Sequence, residues 1–97
     1  MTNIVDYKKG VIILSNLEKC PNIGKELERQ LNEVGVTTFE QLSDIGSRQA
    51  WLRIRSIDDS ACINRLYALE GAIQGIRWHN LTENIKGELK EFYNKYR

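Results

Sequence analysis

Residues 17–42 read Leu17-Glu18-Lys19-Cys20-Pro21-Asn22-Ile23-Gly24-Lys25, then a polar run through Val34, then Gly35-Val36-Thr37-Thr38-Phe39-Glu40-Gln41-Leu42. The Pro21-Asn22-Ile23-Gly24 break separates two helix-compatible stretches. In the second, Leu27, Leu31 and Val34 recur at i, i+4 and i+7, the spacing of one helix face, and Gly35 stops the run. This is the shape of a helix-hairpin-helix unit. Such a turn does one of two jobs. The amides at the start of its second helix hold a phosphate, or the turn is a structural corner in a small helical interaction domain. Gly24 is expected to resist large residues, because the turn brings two helices together and calls for φ > 0. On that reading Gly24→Val destabilises the fold and Lys25→Ala does not.

Outward from the hairpin, the chain is punctuated as a series of helices. Ser15 is a cap candidate for a short helix through Lys19. Thr38 with Gln41 resembles a capping box, opening a short helix with Phe39, Leu42 and Ile45 inward. Gly46 ends it, and Ser47 is the cap candidate for a further helix to about Arg55, with Trp51 and Ile54 facing the core. The longest periodic run places Cys62, Leu66, Leu69, Ala72, Ile73 and Ile76 on one stripe, widened by Ile63 and Tyr67. Asp58, Asp59 and Ser60 are its cap candidates. Gly71 and Gly75, at i and i+4, point to close backbone approach or a fraying end. After Thr82, a cap, Ile85, Leu89, Phe92 and Tyr96 form the last stripe. The expectation is an all-α, compact bundle of five or six helices over residues 15–97. Residues 1–14 are read as an N-terminal arm, with Val11–Leu14 ambiguous between a helical turn and an extended segment.

Ninety-seven residues at 41% hydrophobic content suit one packed domain. The formal net charge is +1, from 14 basic and 13 acidic side chains, which excludes the strongly basic class of nucleic-acid binder but not a local patch. The charge is uneven: residues 1–46 carry a net −2 and residues 47–97 a net +3. Cys20 and Cys62, with a single His, make neither a disulfide framework nor a zinc site, and no metal or cofactor is expected. Val11-Ile12-Ile13-Leu14 is too short for a signal-peptide core, and nothing approaches a membrane span. A cytoplasmic setting is the simplest expectation.

A second block completes the pattern: Asn64-x-Leu66-Tyr67-Ala68-Leu69-Glu70-Gly71-Ala72-Ile73-x-Gly75, followed by Trp78. With Leu17, Asn22-Ile23-Gly24, Gly35-Val36, Phe39 and Leu42, it resembles the C-terminal domain of the TfoX/Sxy family of competence regulators, in stand-alone form, over about residues 15–92. The resemblance implies a helix-hairpin-helix-like fold of the SAM-like kind and a link to competence-gene regulation in members with both domains. It carries over no catalytic residues.

Three residue sets are site candidates. Asn22, Gly24 and Lys25 form the phosphate candidate in the hairpin, opposed by Glu26 and Glu28 and by Asn22 standing where DNA-binding hairpins usually carry a second Gly. Arg48, Arg53 and Arg55, joined by Arg65, Arg77 or Lys86 if the fold brings them together, form a basic-surface candidate or simply a solvated helix face. Trp78-His79 invites a catalytic reading, yet no nucleophile with a partnered base surrounds it in sequence, and a turn between the last two helices accounts for it. Cys20 and Cys62 are read as buried thiols. Two function classes stay open: a non-catalytic interaction module with a protein partner or a second copy of itself, and a weak, sequence-independent DNA binder. No enzyme is expected.

Overall fold

A computed structural model describes residues 16–97 of the chain. The arm at 1–14 and the Ser15 cap lie outside the described residues. The order is a 3-10 turn at Leu17–Lys19, helix α1 at Lys25–Glu33, α2 at Phe39–Ile57, α3 at Ile63–Gln74, a second 3-10 turn at Trp78–Asn80, and α4 at Glu83–Tyr96. The described residues are thus all-helical, with four α-helices where five or six were expected. The difference has two causes. The stretch before the hairpin forms only a single 3-10 turn. The two helices expected on either side of Gly46 are present but meet without a loop: the chain leaves helical geometry at that glycine alone (φ 83°, ψ 165°), so both segments count together as α2. Ser47, expected as a cap, is buried, and its hydroxyl donates to Glu70 Oε1 at 2.7 Å, tying α2 to α3.

Helix ends follow the sequence signals closely. At the end of α1, Gly35 takes φ +88°, its N–H donates to Asn32 O, and the N–H of Val36 reaches back to Leu31 O at 2.8 Å. At the end of α3, Gly75 takes φ +77°, and the Gly75 and Ile76 amides return to Ala72 O and Gly71 O. Both are Schellman closures, which need a left-handed residue and so favour glycine. Thr38 and Thr82 accept from the Gln41 and Ile85 amides, as caps should. The capping box is displaced, however: Gln41 Oε1 accepts from the N–H of Thr37, not of Thr38. The cap of α3 also differs from expectation. Its N-cap is Cys62, without a side-chain bond, while Asp58 is the C-cap of α2.

The core is built from the expected stripes. Leu17, Leu31, Leu42, Trp51, Ile54, Leu66, Leu69 and Leu89 are fully buried. Helix α3 packs against α2, α4 and the second 3-10 turn, which makes it the central element. Trp51 donates from Nε1 to Cys62 O at 3.2 Å and meets Phe92 and Tyr93 edge-on. The last stripe leaves the core at its end: Tyr96 is 45% exposed. Cys62 is exposed and Cys20 half-buried, so the expectation of two buried thiols does not hold; Cys62 sits at a helix N-cap, where the chain turns outward. Burial, and secondarily the Glu40 charge, push the Cys20 thiol pKa up.

One polar cluster joins α1 to the α2–α3 connection. Gln30, only 3% exposed, donates to Asp58 Oδ2 at 2.7 Å and accepts from Arg65 Nη1 at 3.1 Å. Arg65 and Asp58 pair at 2.8 Å, and Asp58 Oδ1 accepts from the amide and hydroxyl of Ser60. The Ser60 hydroxyl bond, then the bonds from Arg65 and Gln30, hold the Asp58 carboxyl well below its ordinary 3.8. A carboxylate with a depressed folded-state pKa contributes stability above its unfolded pKa, and this is lost as pH falls through the folded value. The urea midpoint of the wild type is therefore expected to fall between pH 5 and pH 2. Asp58→Asn should start lower at pH 7 and show a shallower fall. Parallel pH curves for the two proteins would show that this carboxylate is not linked to folding.

Candidate functional site

The hairpin turn is held by Asn22 rather than by Gly24. Asn22, at φ 71°, is the one non-glycine residue with positive φ among the described residues. A short amide side chain tolerates this conformation better than most. Its Nδ2 donates to Ile76 O at 2.9 Å and Ala68 O at 3.4 Å, and its Oδ1 accepts from the N–H of Trp78 at 3.1 Å. One side chain thus joins the hairpin to the far end of α3 and to the turn beyond it.

Gly24 behaves differently from expectation. It is the N-cap of α1 with extended backbone (φ −95°, ψ −171°), and a Cβ there would meet no heavy atom within 4 Å. Neither a positive φ nor a close approach requires glycine at this position, because Asn22 makes the left-handed step two residues earlier. The close approach falls at Gly71 instead. A Cβ on Gly71 would stand 2.5 Å from Asn22 Nδ2, 2.8 Å from Ile76 O and 3.1 Å from Trp78 Cα. Lys25 is exposed at the first position of α1, with Glu26 and Glu28 in the same turn. Glu26 and Glu33 both pair with Arg29, and the bond from Arg29 lowers the Glu26 pKa.

The arginines do not converge. Arg48 faces α4, 3.7 Å from Glu88 and 5.9 Å from the Phe92 ring centroid. Arg53 points the other way and donates to Val34 O at 3.1 Å, a cation placed at the negative end of α1. Arg55 pairs with Asp59 at 2.8 Å, and Arg65 belongs to the Asp58 cluster. The Arg65 cluster was not readable in the sequence, since Gln30 lies in a polar helix with nothing to mark it as buried.

Beyond α3, three rings lie nearly parallel. Tyr67 and Trp78 stack with centroids 5.8 Å apart and 20° between planes; Trp78 and His79 do so at 4.0 Å and 25°. Trp78-His79 forms the turn between the last two helices, as expected. No group of three or more His, Cys, Asp or Glu among the described residues is placed to hold a metal ion. No helix among them is long and apolar enough to cross a membrane.

Residues 14–93 match the family model of the TfoX C-terminal domain. The chain belongs to that family. It is 36% identical over 76 residues to protein Sxy of Escherichia coli K12, a match covering 78% of this chain and 36% of Sxy. The chain therefore spans about a third of the length of that relative. Among solved structures it is similar to an uncharacterized protein from Listeria monocytogenes in a triclinic crystal form, with TM-score 0.82 and 53% identity over 84% of this chain and 92% of that one. A protein of unknown function from the same organism, in a tetragonal form, gives TM-score 0.82 and 52% identity, covering 84% of this chain and all of the other.

In this TfoX C-terminal domain the motif residues do structural work. Leu17, Ile23, Leu66 and Leu69 are core, and Gly35 and Gly75 are left-handed helix ends. Ala68 is buried and lends its carbonyl to Asn22; Gly71 admits the Asn22 amide; Tyr67 and Trp78 stack. Asn64 is exposed on α3.

Proposed function

We propose that this TfoX C-terminal domain is a small, non-catalytic, cytoplasmic interaction module, linked through its family to the regulation of competence or transcription. Its partner is a protein, including a second copy of itself. We read residues 17–33 as a helix-hairpin-helix corner whose first helix has shrunk to one 3-10 turn. The observation that carries the reading is the occupation of the phosphate candidates. The Asn22 amide is taken up by Ala68, Ile76 and Trp78, and the arginines are divided between α4, the end of α1 and acidic neighbours. The glutamates beside Lys25 oppose a phosphate there. The His79 ring is committed to a stack with Trp78, not to an acid–base pair.

The test is a fluorescence anisotropy titration of a labelled DNA duplex at two salt concentrations. Binding at physiological salt is expected to be no tighter than about 10⁻⁴–10⁻⁶ M, the non-specific range. What remains should fall steeply with salt and weaken in the Lys25→Ala and Arg48/Arg53/Arg55 triple-alanine variants. Nanomolar, sequence-selective duplex binding by the wild type would instead establish the DNA-binding reading.

A further inference from the structure

The Tyr67–Trp78–His79 stack holds more than core packing requires. Tyr67 and Trp78 are half-buried and close the end of α3, but His79 is exposed. Its imidazole stacks on the Trp78 indole at 4.0 Å between centroids, at the exposed end of the three rings. The ledge is also rigid. The Trp78 N–H is fixed by Asn22 Oδ1, and the Asn80 and Leu81 amides close back onto Arg77 O and Trp78 O. Little freedom is therefore lost when a flat group settles on it. Cations flank it. Lys86 Nζ lies 6.0 Å from the Trp78 ring centroid and 3.4 Å from His79 O, and Arg77, exposed, immediately precedes the ledge. The nearby carboxylate is Glu83, whose pairing with Lys86 is long, at 3.9 Å, and solvent-exposed on the Glu83 side. Such a pair contributes little, so the ammonium, which also donates to His79 O, can exchange Glu83 for another anion.

A rigid exposed ring with cations beside it is the arrangement that receives an unpaired base and its phosphate. Every base presents a π-face, so such stacking is tolerant of sequence. A duplex cannot use it, because its bases are already stacked inside the helix. We propose that the His79 face of this ledge is a stacking site for a base of single-stranded nucleic acid, with Lys86 and Arg77 meeting the adjoining phosphates. This site is separate from the hairpin turn and does not depend on the protein-interaction reading.

The experiment uses the full chain and fluorescein-labelled 12-mers in anisotropy titrations at low salt: dT12, U12, an abasic strand with the same phosphates, and a duplex. The better of dT12 and U12, which identifies the strand type, should bind at least about tenfold more tightly than the abasic strand and the duplex. His79→Ala should lose about tenfold for the base-bearing strand and nothing for the abasic one. His79→Phe, which restores a flat ring, should recover the loss. Lys86→Ala should weaken all strands alike. Because His79 is exposed, these variants keep the fold, which far-UV circular dichroism checks. Equal affinity for abasic and base-bearing strands, an unchanged His79→Ala, or no binding of any single strand at millimolar protein would overturn the proposal.

Discussion

Trp51→Ala is expected to destabilise the domain by about 3–5 kcal/mol, the range for removing a fully buried large aromatic side chain. Trp51 has no exposed surface, and it is the point at which α2, the start of α3 and the end of α4 meet. Truncation opens a cavity, removes two edge-to-face contacts, and takes from the Cys62 carbonyl its indole donor. A domain of this size has about 5–15 kcal/mol in total, so the variant should be partly unfolded near 37 °C. Urea unfolding followed by far-UV circular dichroism measures the loss. Leu66→Ala and Leu69→Ala, on the central helix, should each cost about 2–5 kcal/mol in the same assay. A loss below about 1 kcal/mol for Trp51→Ala would mean that the core is not organised around this ring.

The second large effect comes from adding one methyl group at Gly71, and it is absent when the same group is added at Gly24. Gly71→Ala places a Cβ against two backbone atoms and the Asn22 amide, at 2.5–3.1 Å. Main chain cannot give way as a flexible side chain does, so α3 must move off the turn that carries Trp78. Overpacking of this kind costs about 1–3 kcal/mol or more, and here it also pries apart the Asn22 bonds. At roughly 4–8 °C per kcal/mol for a domain of this length, the melting temperature should fall by about 5–20 °C. Gly24→Ala, into open space at a regular backbone angle, should cost no more than about 1 kcal/mol, the worth of a helix N-cap. Equal melting of the two variants, or the reverse order, would contradict the packing described around Asn22.

That contrast shows where sequence reading stops. Periodicity identified the buried faces of α1, α2 and α3, and the glycines after α1 and α3 marked their ends, because both follow from local backbone geometry. It could not say which glycine of several stands in a close contact, since that depends on what packs opposite. Pro21-Asn22-Ile23-Gly24 invited the φ > 0 position to be placed on the glycine, yet the asparagine takes it, because only its side chain reaches Ile76 and Trp78. Arg48 and Arg55 share a helical stripe and Arg53 lies off it, but the divergence of all three depended on where α4 and the end of α1 came to rest. Gly71 and Gly75 realise one each of the two readings their spacing allowed, a close approach and a helix end.

The partners of the Asn22 amide lie 46, 54 and 56 residues along the chain. Two of those three bonds therefore close loops over more than half of the 97-residue chain, and the third falls just short of half. Loop-closure entropy grows only slowly with length, so one well-satisfied side chain can hold a loop this long. Small secreted domains assign that task to a disulfide. Here both cysteines are free, and an amide serves as the cross-link. A cross-link made of hydrogen bonds opens and closes with the fold itself, and its hold is indifferent to the redox state of the surroundings.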